Sequence, residues 1–134
     1  MNPKNLLALA ISASLACAMG CSHGPAAAPE GGKLYAQHCS GCHGESGQGV
    51  KGPPVVGASA LPKEPPPTAH KRAVEFRTAL DVGKWVMENM PANAPGSLKT
   101  DEYLALLAFD LTANGVKLDQ PLTVERAGEI VLHP

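Results

Sequence analysis

An all-α fold of three to five short helices is predicted by three observations. Apolar residues recur at three- and four-residue spacing in separate stretches, no strand-like alternation stands out, and runs of Gly and Pro divide the helical stretches from one another. Residues 1–20 are set aside first. A positive start at Met1–Lys4, an uncharged run from Leu6 to Ala16 and the small residues Ala18 and Gly20 read as a secretory signal, too short to span a bilayer comfortably. Residues 21–30, rich in Ala, Pro and Gly, are expected to be a flexible tether. A short helix is expected from Gly31 to about Ser40. Residues 44–67 hold many of the Gly and Pro residues and are loop; Leu61–Pro67 has four prolines and is expected as an extended surface segment. The next helix starts at Thr78, whose pairing with Asp81 is a capping signature; it carries Val82, Trp85, Val86 and Met90, and Pro91 stops it. Another runs from Thr100, as N-cap, to about Ala113, with Leu104, Leu107, Ala108 and Leu111 as its stripe and Asn114-Gly115 as its stop. A last one follows Thr123 and carries Val124, Ala127, Ile130 and Val131.

These elements leave an energetic shortfall. The mature domain of roughly 110 residues is rich in loop, and small domains bury proportionately little surface. Its aromatic residues are one Trp, two Tyr and two Phe. A long irregular loop inside a compact domain needs a reason, and a large flat apolar cofactor at the centre, wrapped by the loop, supplies one.

Cys39-Ser40-Gly41-Cys42-His43 names that cofactor. C-x-x-C-H is the attachment signature of c-type haem: two thiols two residues apart reach the two vinyl groups on one porphyrin edge, and the next residue puts an imidazole under the iron. A thioredoxin-type dithiol would sit in a βαβ setting, and a zinc site would need a second ligand pair; neither pattern is present. His43 is thus one axial ligand. Met90, directly before Pro91, is the candidate for the second, because methionine serves as second ligand in cytochromes c. Met87 lies one turn earlier, inside the helix, and reads as packing. His38 adjoins the attachment cysteine, His70 lies in a polar loop, and His133 is at the C-terminus. Trp85 has two readings: contact with the haem edge or a propionate, or ordinary core packing.

The other two cysteines, Cys17 and Cys21, lie at the signal boundary. Small residues before Cys21 resemble a bacterial lipoprotein processing site, so lipidation at Cys21 and an exported, periplasmic, membrane-anchored protein are expected, with ordinary cleavage as the alternative. Removing residues 1–20 takes away one of eleven basic residues, leaving ten against twelve acidic and a formal charge near −2. Nucleic-acid binding, which wants a strongly basic face, is not expected. The cluster His70-Lys71-Arg72 is offset by Glu64, Glu75 and Asp81 and reads as solvated surface first; with Lys63 it is the candidate docking patch for a partner.

Over about residues 31–115 the chain resembles the class I monohaem c-type cytochromes of bacteria. The matching motifs are Gly31-x-x-x-Tyr35-x-x-x-Cys39, the haem motif, Lys51-Gly52-Pro53-Pro54, Asn89-Met90-Pro91 and Tyr103–Phe109. The resemblance implies the cytochrome c fold around one haem c, held by thioether links at Cys39 and Cys42 and by His43 and Met90 on the iron. It implies that the family's N-terminal helix crosses its C-terminal helix at Gly31, Tyr35 and Phe109. It also implies that a proline carbonyl, Pro53 ahead of Pro54, accepts the histidine Nδ1 hydrogen. Residues 58–77 and the extension 116–134 depart from the short members of the family. The function so implied is electron transport, not enzymatic catalysis, by a monomeric domain whose partners are a dehydrogenase, a cytochrome complex or a terminal oxidase or reductase. A fixed haem subunit of a dehydrogenase complex, or a peroxidase or gas-binding protein with an open iron site, stand as alternatives.

Overall fold

The computed structural model describes residues 27–69 and 73–134. The signal, Cys17, Cys21 and the first part of the tether, together with His70, Lys71 and Arg72, lie outside the described residues. Among these residues there are five helices, α1 (Ala27–His38), α2 (Ser40–His43), α3 (Ala79–Asn89), α4 (Thr100–Ala113) and α5 (Val124–Glu129). The one β feature among the described residues is an isolated antiparallel bridge between Thr78 and Val131. Among the described residues no helix is long and apolar enough to cross a membrane.

Helix boundaries follow local chemistry, with four corrections to the sequence reading. First, α1 starts at Ala27, so residues 27–30 are helical and not tether. Pro29 falls in the first turn, where its missing N–H has no intrahelical acceptor to lose, and Glu30 suits the positive end of the helix. Second, the N-cap of α4 is Lys99, one residue before Thr100; its backbone N–H donates to Glu102 Oε2 at 2.7 Å. Third, α5 ends at Glu129, and Val131 leaves the helix for the bridge to Thr78; Val124 and Val131 are exposed instead of forming a core stripe. Fourth, the Pro-rich stretch is not wholly on the surface, because Pro65 is fully buried. The α3 cap is as predicted: the Thr78 side chain accepts from Asp81 N–H at 3.3 Å, and Asp81 Oδ2 accepts from Thr78 N–H at 2.8 Å.

Helix α4 is the centre. Tyr103, Ala105, Leu106, Leu107, Ala108 and Leu111 are all buried, more than one face of the helix, because two layers cover it. On one side Leu34 and Tyr35 of α1 pack with Tyr103, Ala105 and Leu106. On the other, Ala79, Val82 and Trp85 of α3 join Leu107, Ala108 and Leu111, with Phe76, Leu122 and Ala127 completing the cluster. The α1–α4 crossing is close because Gly31 has no side chain: a Cβ there would overlap the Ala105 carbonyl oxygen and lie 2.7 Å from Phe109 Cβ. Beside it the Tyr35 and Phe109 rings stack at 5.2 Å, tilted by 35°. The crossing predicted at Gly31, Tyr35 and Phe109 is therefore the observed one.

The two segments that depart from the short family pattern pack on each other. Ala79 N–H donates to Ile130 O at 2.9 Å, Leu132 N–H to Arg77 O at 2.8 Å, and His133 Nε2 meets Leu61 O at 2.7 Å. The C-terminal residues thus strap the 61–77 segment to α3.

Candidate functional site

At the end of α1 the chain turns through the cysteine motif. Cys39 caps the four-residue α2, and its carbonyl accepts from Cys42 N–H at 3.1 Å and His43 N–H at 2.9 Å. That single turn sets both thiols and the imidazole on one short helix. The Cys42 carbonyl accepts in turn from Lys51 N–H and Gly52 N–H, each at 2.9 Å, which folds the following loop back against the motif. The Tyr35 hydroxyl donates to Gly44 O at 2.7 Å and ties the same turn to α1. Cys39 is half-buried and Cys42 exposed.

His43 Nδ1 lies 2.7 Å from Pro53 O. A carbonyl oxygen only accepts, so Nδ1 carries the proton and Nε2 presents its lone pair. The acceptor is Pro53, not Pro54. Gly52 makes room for the ring: a Cβ at that position would stand 2.9 Å from His43 Cε1 and 3.1 Å from Nδ1. The sequence reading missed what holds this loop. Asn114, taken as a helix stop, donates from Nδ2 to Val55 O at 2.8 Å and accepts at Oδ1 from Gly57 N–H at 3.0 Å. No local signal links positions so far apart in the chain.

Met90 is the C-cap of α3, half-buried, and its N–H donates to Val86 O at 2.8 Å. Its carbonyl accepts from the Tyr103 hydroxyl at 2.6 Å, which fixes the residue at the point where the helix ends. Its side chain packs against the α3–α4–α5 cluster, whereas that of Met87 packs against the α1–α4 cluster, as Cys39 does. Trp85 is a core residue, buried with its ring meeting Phe76 edge-on at 6.0 Å. Of the other histidines, His38 is exposed and His133 is engaged with Leu61. A cleft of about 330 Å³ lined by Lys63, Glu64, Glu75, Phe76, Arg77, His133 and Pro134 lies among the accessory segments and includes none of the motif residues.

Electrostatics separates the site from the rival chemistries. Burial, and then the neighbouring Asp110 and Cys42, push the Cys39 thiol up to about 11. Reactive dithiols need the opposite shift, toward thiolate. Among the described residues no group of three or more His, Cys, Asp or Glu side chains is placed to hold a metal ion. Burial also pushes the Asp110 carboxyl up to about 7 and raises the Tyr35 phenol.

Comparison with known proteins places this geometry. The family model described as cytochrome c oxidase, cbb3-type, subunit III, matches residues 26–109. The chain belongs to this family. Its domain is a c-type cytochrome domain, which implies haem c as cofactor and haem-based electron transfer as activity. Among solved structures, the sulfane dehydrogenase SoxCD from Paracoccus pantotrophus is similar, with 26% identity and a TM-score of 0.56 over 78% of this chain. The cytochrome covers 52% of that chain, so it spans about half of its length. A search of curated proteins finds no match. The residues present fit haem c: two thiols one turn apart, an imidazole oriented through Nδ1, and a glycine that leaves its ring room.

Proposed function

We propose that this cytochrome is an exported electron-transfer protein with one covalently attached haem, cycling between redox partners in the periplasm. When bound, the haem supplies an iron that passes one electron at a time. Cys39 and Cys42 would hold it through thioether links. His43 and Met90 would supply the nitrogen and the sulfur that bind its iron. The observation that carries the reading is the 2.7 Å contact between His43 Nδ1 and Pro53 O. It fixes tautomer and ring direction together, and a carbonyl acceptor on the far nitrogen raises the ligand's basicity. Thioether sulfur favours the reduced iron and so raises the potential. With His43 and Met90 both on the iron, substrate would have no open place to bind, which supports outer-sphere electron transfer.

The anchor belongs to the same proposal: lipid at Cys21 would keep the domain at the membrane, supported by the uncharged run and small residues before that cysteine. A second reading, a fixed haem subunit of a dehydrogenase complex, is favoured by the similarity to a chain of SoxCD about twice as long as the matched portion. Potentiometric titration of the haem-loaded protein tests the carrier. A single reversible one-electron wave, with ferrous protein that does not take up CO, is expected. Rapid CO binding and peroxide turnover would instead make it an open-site haem protein. Co-purification in mild detergent distinguishes shuttle from subunit: a stoichiometric large dehydrogenase partner would favour the second reading.

A further inference from the structure

Asp110 is a carboxyl group that the electron-transfer reading leaves unused, and its placement is costly. It sits in the last turn of α4, where the unpaired carbonyls make the helix end negative and where a carboxylate is disfavoured. Its side chain is half-buried near the α1–α4 crossing, beside Tyr35 and Cys39, both of whose acidities it weakens. Among the described residues no ion pair neutralises it. Its donor is the Asn114 amide, at 3.2 Å from Oδ1, and that NH2 group also serves Val55 O at 2.8 Å and Asp110 O at 2.9 Å. Two hydrogens shared among three acceptors leave the carboxylate only a long, partial bond. Burial, the helix end and poor hydrogen bonding all favour the neutral acid, and the carboxyl is pushed up to about 7.

We propose that Asp110 is a redox-linked proton acceptor: its carboxylate takes up one proton from solvent when the haem gains one electron, and gives it back when that electron leaves. The electron comes from a redox donor protein and goes to an acceptor protein, the proton is exchanged with solvent, and the uptake per electron is greatest at a pH between the two carboxyl midpoints and never exceeds one. This rests on the carrier reading and on thioether attachment at Cys39, which would place the haem beside a residue that Asp110 influences. A carboxylate there favours the extra positive charge of ferric iron, so Asp110 is the stronger acid in the oxidised protein. The potential is then highest when Asp110 is protonated and falls as pH rises through neutrality. The other ionisable groups that interact with Asp110 are Tyr35 of α1 and Cys39, which follows that helix; its hydrogen-bond donor Asn114 does not ionise. Tyr35 is raised from an already high value, and Cys39 has no proton once it is a thioether, so neither titrates near neutrality.

The test is the midpoint potential of the haem-loaded protein between about pH 5 and pH 9, for the unaltered chain, Asp110→Asn and the exposed control Asp101→Asn. The unaltered and Asp101→Asn proteins should show a potential that falls with pH. A tenfold difference in Asp110 acidity between redox states corresponds to about 59 mV for one electron. Asp110→Asn should be flat and stay near the acid limit. If Asp110→Asn does not load haem, the carboxyl carbon resonance of Asp110 in the unaltered protein decides. It should titrate near neutrality, with a lower midpoint in the oxidised form. A flat profile, a slope that survives in Asp110→Asn, or a carboxyl midpoint that is the same in both redox states would overturn the proposal. In each of these cases an intact one-electron wave leaves the carrier reading standing, whereas loss of that wave would strike the carrier reading itself.

Discussion

Gly31→Ala isolates the helix crossing on which the haem motif hangs. The new Cβ would overlap the Ala105 carbonyl oxygen and come within 2.7 Å of Phe109 Cβ, so relief requires α1 and α4 to separate. Overpacking of a tight core costs about 1–3 kcal/mol, and a backbone obstacle that cannot rotate away puts this site at the top of that range. Replacing Gly by Ala in a helix returns about 0.5–1 kcal/mol, leaving a net loss of about 2 kcal/mol. Gly32→Ala is the control. Its Cβ would sit 3.5 Å from the Phe109 ring, ordinary contact, so only the helical gain applies. The two variants should differ by about 3 kcal/mol, which for a domain of this size is on the order of 10–20 °C in Tm. Thermal unfolding of the haem-loaded proteins, followed by far-UV circular dichroism, reads the difference. Equal Tm values for the two would refute the close crossing, and with it the reason Tyr35 and Cys39 stand where they do.

Two further perturbations address the site and the cap. Gly52→Val should push the His43 ring off Pro53 O, weakening the imidazole's hold on the iron tenfold to a hundredfold, as loss of such outer contacts generally does. Exogenous cyanide or imidazole should then displace an axial ligand more readily than in Gly41→Val, whose Cβ would meet nothing within 4 Å. At the α3 cap, burial opposes ionisation of Asp81, but hydrogen bonds from Thr78 outweigh it and hold the carboxyl below its ordinary value. A depressed carboxyl contributes stability above its unfolded pKa, and loses it as pH falls through the folded value. Asp81→Ala should therefore cost about 1 kcal/mol at neutral pH and progressively less in acid, measured by urea unfolding across pH.

What was legible in the sequence was local. Thr78 and Asp81 stand three residues apart and make their bonds across one helical turn, so the pair could be read directly. The cysteine motif likewise carries its own geometry within five residues, and the family pattern supplied Gly31, Tyr35, Phe109 and Pro53. The missed features depend on distant chain segments. Asn114 reaches Val55 and Gly57 across more than fifty residues, and nothing near Asn114-Gly115 distinguishes that role from a plain helix stop. Val131 leaves α5 to pair with Thr78, and Pro65 is buried within the proline-rich stretch; neither follows from a pattern at those positions. The setting of Asp110 likewise depends on the packed α1–α4 crossing and not on its neighbours in sequence.

The central claim is that Met90 would supply the iron's sulfur ligand alongside His43, and one spectrum tests it most directly. By family resemblance, ferric iron bound to thioether sulfur has a far-red charge-transfer band. The account predicts that the band is present in the unaltered protein, absent in Met90→Ala and retained in Met87→Ala. It also predicts that haem stays attached throughout, because Cys39, Cys42 and His43 are untouched. Loss of the band in Met87→Ala with retention in Met90→Ala would assign the wrong methionine, and a spectrum indifferent to both would contradict the closed His/Met site on which the electron-carrier reading rests.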